Sequence, residues 1–115
     1  MEAIKQRVIQ EHVPGRQITL AHIIANPDAS LYENLGIADT LHSAIGVMTI
    51  TPPETAIIIA DIAIKSAGVN IHSMDRISGS LIITGTVSEV ESATNAILEY
   101  VGDKLNYEVC KLTKT

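Results

Sequence analysis

An α+β fold, with an antiparallel sheet carrying helices on one face, follows from three observations on this 115-residue chain. The apolar period switches repeatedly between that of a strand and that of a helix. Turn signals at Pro14-Gly15, Asn26-Pro27, Pro52-Pro53, Gly68, Ser78-Gly79 and Gly102 cut the chain into short elements. Strands and helices are interspersed without long linkers or low-complexity tracts, which suits one layered domain.

Residues 4–13 (IKQRVIQEHV) partly alternate and are compatible with a short, rather polar strand. Residues 17–25 (QITLAHIIA) read as a strand, with Ile18, Leu20, His22 and Ile24 on one face and Thr19, Ala21 and Ile23 on the other. Residues 28–35 fit a short helix after Asn26-Pro27, stopped by Gly36. Residues 44–51 (AIGVMTIT) form an apolar strand, and Pro53 then suits the first turn of a helix, where its missing N–H costs nothing. Residues 69–77 and 80–87 make a hairpin about Ser78-Gly79. Ser88 with Glu91 is the expected capping box of a second helix. On that helix Val90, Ala93, Ile97, Val101 and Leu105 form the dry side, and Glu89, Ser92, Asn95, Glu99 and Asp103 the wet side. Residues 106–112 return as a final strand.

The stretch from Thr51 to Gly68 (TPPETAIIIADIAIKSAG) carries the most information. At ~100° per residue, Glu54, Asp61 and Lys65 fall within roughly 20° of one line. Asp61 and Lys65 stand in the favourable acid-first i,i+4 order. Nearly everything else on the helix is Ala or Ile, far more than the ~100° stripe that a helix on a single sheet needs. The surplus requires a partner, and another copy of the chain is the simplest one.

Composition narrows the function classes. A chain of this length is one domain and buries only about two-thirds of its unfolded surface. With 46% hydrophobic residues, apolar area is left outside. The core is aliphatic, since Phe and Trp are absent and only three Tyr occur. A net charge of −5, with eight scattered basic residues, argues against nucleic acid. The longest clean apolar run, residues 56–60, is far short of a membrane span of ~20 residues. The opening MEAIKQRVIQEH has no apolar secretory core, and the single Cys110 excludes an internal disulfide, so a cytoplasmic location is the default.

Catalytic and metal chemistry find little support. His12, His22, His42 and His72 show no ligand spacing, and there is no cysteine pair to complete a zinc set. His72 and Ser73, neighbours on one strand, point to opposite faces and cannot share a proton within one chain. Glu89 and Glu91 are first-turn helix acids. No glycine loop for phosphate is present, and no cofactor is implied. Two features remain. The hairpin tip Ile77-Ser78-Gly79-Ser80 is a good turn and also a place where symmetry-related backbones could approach around an opening. Lys65, late on the long helix, suits both the helix dipole and a contact with a neighbouring assembly.

Taken together, AIGVMTITP (44–52), the helix with its late Lys65, Asp75-Arg76-Ile77 and Ser78-Gly79-Ser80-Leu81 resemble the shell-protein domain of bacterial microcompartments. That domain normally begins at a segment like 44–52 and ends in a strand with a His-Ile-x-x-Pro pattern. Here the similar string AHIIANP (21–27) precedes the domain. The displacement resembles the circularly permuted shell proteins of propanediol-, ethanolamine- and choline-utilisation compartments. The resemblance implies a non-enzymatic homohexameric tile that packs edge to edge with other shell proteins around encapsulated enzymes. It implies a pore loop at Ser78, Gly79 and Ser80, and a hexamer edge at Lys65 and at Asn26, which replaces the family's usual arginine. It also implies an extension, residues 1–16, ahead of a permuted domain at 17–115. In that extension Ile4, Gln6, Val8 and Gln10 would belong to a strand capping the pore as part of a six-fold barrel. The competing readings are a small-ligand-binding regulatory α+β module, which would need a phosphate-holding loop, and a small enzyme, which would need clustered titratable groups.

Overall fold

A computed structural model describes residues 15–37 and 43–115. The elements are β1 (Gln17–Ile24), α1 (Ala29–Leu35), β2 (Ala44–Thr51), a 3-10 turn (Pro53–Thr55), α2 (Ala56–Ser66), β3 (Asn70–Asp75), β4 (Ser80–Gly85), α3 (Val87–Asp103), β5 (Glu108–Val109) and β6 (Thr113–Lys114). The expected strand over 4–13, with Ile4, Gln6, Val8 and Gln10, lies outside the described residues, as do His12 and His42.

The sheet order is β3-β4-β2-β1-β5, with β6 also on β1. The three central pairings are antiparallel. β5 and β6, however, run parallel to β1, so the expected purely antiparallel sheet is mixed at one edge. The connectivity explains this. β4 runs in the direction of β1, and a helical crossover through α3 returns the chain in that same direction. The expected strand over 106–112 is likewise replaced by two short ones on either side of Cys110–Leu112.

The expected face assignment of β1 also changes. Ile18 pairs with Ile50 and Leu20 with Thr49, leaving Thr19 as the extra residue of a bulge. Ile18 therefore falls into step with Ala21 and Ile23, all buried, while Leu20 turns outward. On this inner face the rows Ala21–Met48–Leu81 and Ile23–Gly46–Ile83 cross the three central strands. They pack beneath Ile59 and Ala63 of α2 and Val90, Ala93, Ile97 and Val101 of α3. Each large aliphatic side chain buried there contributes about 1.5–3 kcal/mol. Gly46 lets α3 settle closely, because a Cβ there would lie 2.8 Å from Val90 Cγ1 and 2.9 Å from Ile83 Cγ1.

α1 has Asp28 as its N-cap and ends at Gly36 in the left-handed region, φ 71°. Ile45 is wholly buried yet stands outside the main core cluster, on the face of β2 turned from α2 and α3. α1 is tied to the sheet at two points: Tyr32 donates to the Ser43 carbonyl, and His72 Nε2 donates to the Leu35 carbonyl over 2.9 Å. The capping box of α3 is formed by Thr86 and Glu89, two residues before the expected pair. Thr86 Oγ1 accepts from the Glu89 N–H at 3.1 Å, and Glu89 Oε1 from the Thr86 N–H at 2.9 Å. Thr86-x-x-Glu89 and Ser88-x-x-Glu91 satisfy the same pattern, and Thr86 prevails because it follows the last strand residue with extended backbone. α3 runs through Gly102 to Asp103, so Leu105 reaches the core from the segment beyond the helix.

Candidate functional site: the outer face of α2 and the hairpin tip

Pro53 occupies the first position of the 3-10 turn, and α2 continues from it. Ala56, Ile59, Ala60 and Ala63 are buried on the sheet. Ile57, Ile58 and Ile64 remain 50%, 46% and 57% exposed. The surplus apolar surface expected of this helix is thus left uncovered by the chain's own described residues. Asp61 and Lys65 form an ion pair of 2.9 Å on the same face, both largely solvated, and Asp61 raises the Lys65 ammonium above its ordinary value. An exposed pair of this kind contributes little to stability. The helical period puts Ile57 and Ile64 on one side of this charged line and Ile58 and Ile62 on the other. On the second side an open groove runs between α2 and α3, lined by Ile58, Asp61, Ile62, Lys65, Ser66 and Tyr100. Tyr100 beside Lys65 was not legible in the sequence, because it follows the dry-side residue Ile97 by three and looks like part of that stripe.

The second region is the turn between β3 and β4. It is a four-residue turn, Arg76–Gly79, wider than the two-residue joint expected. Asp75 Oδ1 accepts from the N–H of Ile77 at 2.8 Å and of Ser78 at 3.3 Å, which holds its carboxyl below the ordinary range. The Gly79 N–H donates to the Asp75 carbonyl, and the Gly79 carbonyl accepts from the Ile50 N–H. Gly79 has φ 80°, and a Cβ on it would sit 2.1 Å from the Ile50 oxygen. It is buried against β2, while Ser78 is exposed and its hydroxyl lies 3.0 Å from that of Ser80. At the crest Ile77 is 82% exposed.

Asn26 is exposed at the bend that ends β1, where the Ala25 N–H donates to the Thr115 carbonyl. Asn26 lies in the link between β1 and α1, and Lys65 near the end of α2. His22 bridges β1 to β6 through the hydroxyls of Thr113, at 2.6 Å, and Thr115, at 2.9 Å. Among the described residues no three His, Cys, Asp or Glu side chains are placed to hold a metal ion. No helix among them is long and apolar enough to cross a membrane.

Fold and site together define a small α+β domain whose distinguishing surface is a polar-striped aliphatic helix face beside a rigid hairpin. The BMC domain family model matches residues 44–112. The bacterial microcompartment shell protein EutS of Escherichia coli is 49% identical over 111 residues, 96% of this chain and 98% of EutS. The shell protein PduU of Salmonella typhimurium is 48% identical over 109 residues, 95% of this chain and 93% of PduU. Among solved structures, the CutR flat hexamer superposes with a TM-score of 0.85 at 49% identity, covering 95% of this chain and 99% of that one. The chain belongs to the bacterial microcompartment shell protein family, and its role is structural, as a shell component and not an enzyme.

Proposed function

We propose that six copies of this chain close into a tile of a cytoplasmic microcompartment shell, which joins other shell proteins edge to edge, encloses enzymes and slows the escape of small intermediates. The observation that carries this reading is the α2 face, where Ile57, Ile58 and Ile64 stay exposed in the single chain. The hexamer in the CutR structure supports the number six. Ser78, Gly79 and Ser80 line the opening at the centre of the ring, with Lys65 and Asn26 at its rim. The domain is a circular permutation, with β1 supplied ahead of the segment that matches the family model. The antiparallel register of β1 on β2, Ile23 opposite Gly46, supports this, since a strand outside residues 44–112 completes the sheet. Residues 1–16 form the extension, and Ile4, Gln6, Val8 and Gln10 belong to a strand that caps the opening.

The mass of the native particle tests the assembly. Light scattering on the full chain is expected to give six times the 12.3 kDa protomer. A monomer across the micromolar range overturns it.

A further inference from the structure

β1 (QITLAHII) has the composition of a strand that adds readily to other strands. It carries no Asp, Glu, Lys or Arg, no proline and no glycine, and Ile18, Thr19, Ile23 and Ile24 are β-branched. Among the described residues its outer side is paired with β5 and β6, which are two residues long each. The cover over its second half is thin. Thr113, Lys114 and Thr115 are exposed, whereas Cys110 and Leu112 just before them pack against the core. The three residues are nevertheless tied down. The Thr115 N–H donates to the Ile23 carbonyl at 2.9 Å, and the Ala25 N–H to the Thr115 carbonyl at 2.8 Å. His22 holds both threonine hydroxyls at once. The Thr113 hydroxyl donates to the Ala21 carbonyl, so its oxygen accepts from Nδ1–H at 2.6 Å, and Nε2 accepts from the Thr115 hydroxyl at 2.9 Å. Lys114, between the two threonines, pairs with Glu91 of α3.

We propose that Thr113–Thr115 is a releasable strap, latched by His22, which keeps the outer edge of β1 from adding the β1 strand of another copy of this chain. With the strap in place, the edge shown outward is a two-residue strand that includes a lysine, a form that natural sheets use to discourage pairing. The bulge at Thr19 interrupts the first half of β1 in the same sense. With the strap released, the Ala21 and Ile23 carbonyls and the Ala25 N–H lose their partners in it on an uncharged strand. Another β1 fits that edge, because neither strand brings a charge to repel the other, and the exposed Leu20 gives the added strand an apolar side chain to pack on. Release is confined to the three exposed residues, since Cys110 and Leu112 keep the preceding segment on the core. The proposal gives His22 a task, and it does not depend on the number of copies in the ring.

Amide hydrogen exchange and thioflavin fluorescence of the full chain test this. The variants are His22→Ala and the double Thr113→Val/Thr115→Val, which empties the same latch from the other side. In both, the Ala25 and Thr115 amides are expected to exchange about tenfold faster than in the parent, as the loss of two hydrogen bonds implies. The Ile50 amide, bonded to the Gly79 carbonyl in the middle of the sheet, is expected to keep its parent rate. Both variants are expected to gain thioflavin fluorescence as concentration rises, and Leu20→Lys added to His22→Ala to suppress that gain by charging the pairing strand. Unchanged exchange at Ala25 and Thr115 overturns the latch. Acceleration of Ile50 in step with them, or loss of the native circular dichroism in both variants, overturns the release, because these side chains would then serve the whole fold. Faster local exchange without association overturns the guard. Association undiminished by Leu20→Lys places the contact away from β1 and overturns it equally.

Discussion

Gly79 occupies the most demanding backbone position among the described residues. A side chain there meets both an unfavourable φ of 80° and an oxygen 2.1 Å from the new carbon. Gly79→Ala is expected to destabilise the protomer by about 2–4 kcal/mol, read as a lowered midpoint in denaturant at unchanged slope. The sequence shows Gly79 only as half of a turn signal, because the Ile50 carbonyl that excludes a Cβ comes from a strand 29 positions earlier. The neighbouring Asp75 carries a pH prediction. Its folded pKa is depressed below the unfolded 3.8 by the N–H groups of Ile77 and Ser78. The stabilisation is thus complete above the unfolded pKa and is lost as pH falls through the folded value. Asp75→Asn is expected to flatten the acid limb of a stability-versus-pH curve below about pH 4. An identical acid limb in the variant rejects this. Ile77 was legible as a hairpin residue, but its exposure was not, since an isoleucine before Ser-Gly reads equally well as the last buried residue of a strand.

At the scale of elements, local patterns succeeded where one element determines them. The Asn26-Pro27 and Gly36 limits of α1, Pro53 at the start of the 3-10 turn and the dry stripe of α3 all follow from residues within a few positions of one another. Patterns failed where a partner decides. The bulge at Thr19 is fixed by the pairing of Ile18 with Ile50 and of Leu20 with Thr49, and it moves Ile18 onto the face of Ala21 and Ile23, against strict alternation. The split of the last strand and its parallel sense come from the path of α3, which no alternation encodes. Two overlapping capping patterns could be ranked only once the end of β4 was known. Thr86→Ala is expected to cost about 1 kcal/mol, against a few tenths for Ser88→Ala, by thermal unfolding of the two variants. Equal costs would mean that the reciprocal bonds of Thr86 and Glu89 do not hold α3. Gly46→Ala is expected to cost about 1–3 kcal/mol by pushing α3 off the sheet, measurable in the same way.

At the scale of the whole molecule, the family and its structural role were readable from several segments in a fixed order, and the comparisons agree with that reading. Surfaces that need other copies were harder to place. Lys65 is solvated and, among the described residues, is bonded to Asp61 on its own helix, so its removal is expected to leave the thermal midpoint of the protomer unchanged. Lys65→Ala particles are expected to keep the parent's mass in solution yet to form fewer or smaller two-dimensional arrays by electron microscopy. A fall in particle mass would place Lys65 inside the ring instead of at its rim.

The charged line along α2 has one more consequence. A single broad partner could cover Ile57, Ile64, Ile58 and Ile62 together only by taking the Asp61–Lys65 pair out of water, which is costly for two ions. A ridge of charge between two greasy shoulders divides the labour of the helix, so that separate neighbours can lean on it from left and right. Damage to one shoulder and damage to the other should then add as independent losses, and either side can drift in sequence without retuning its opposite.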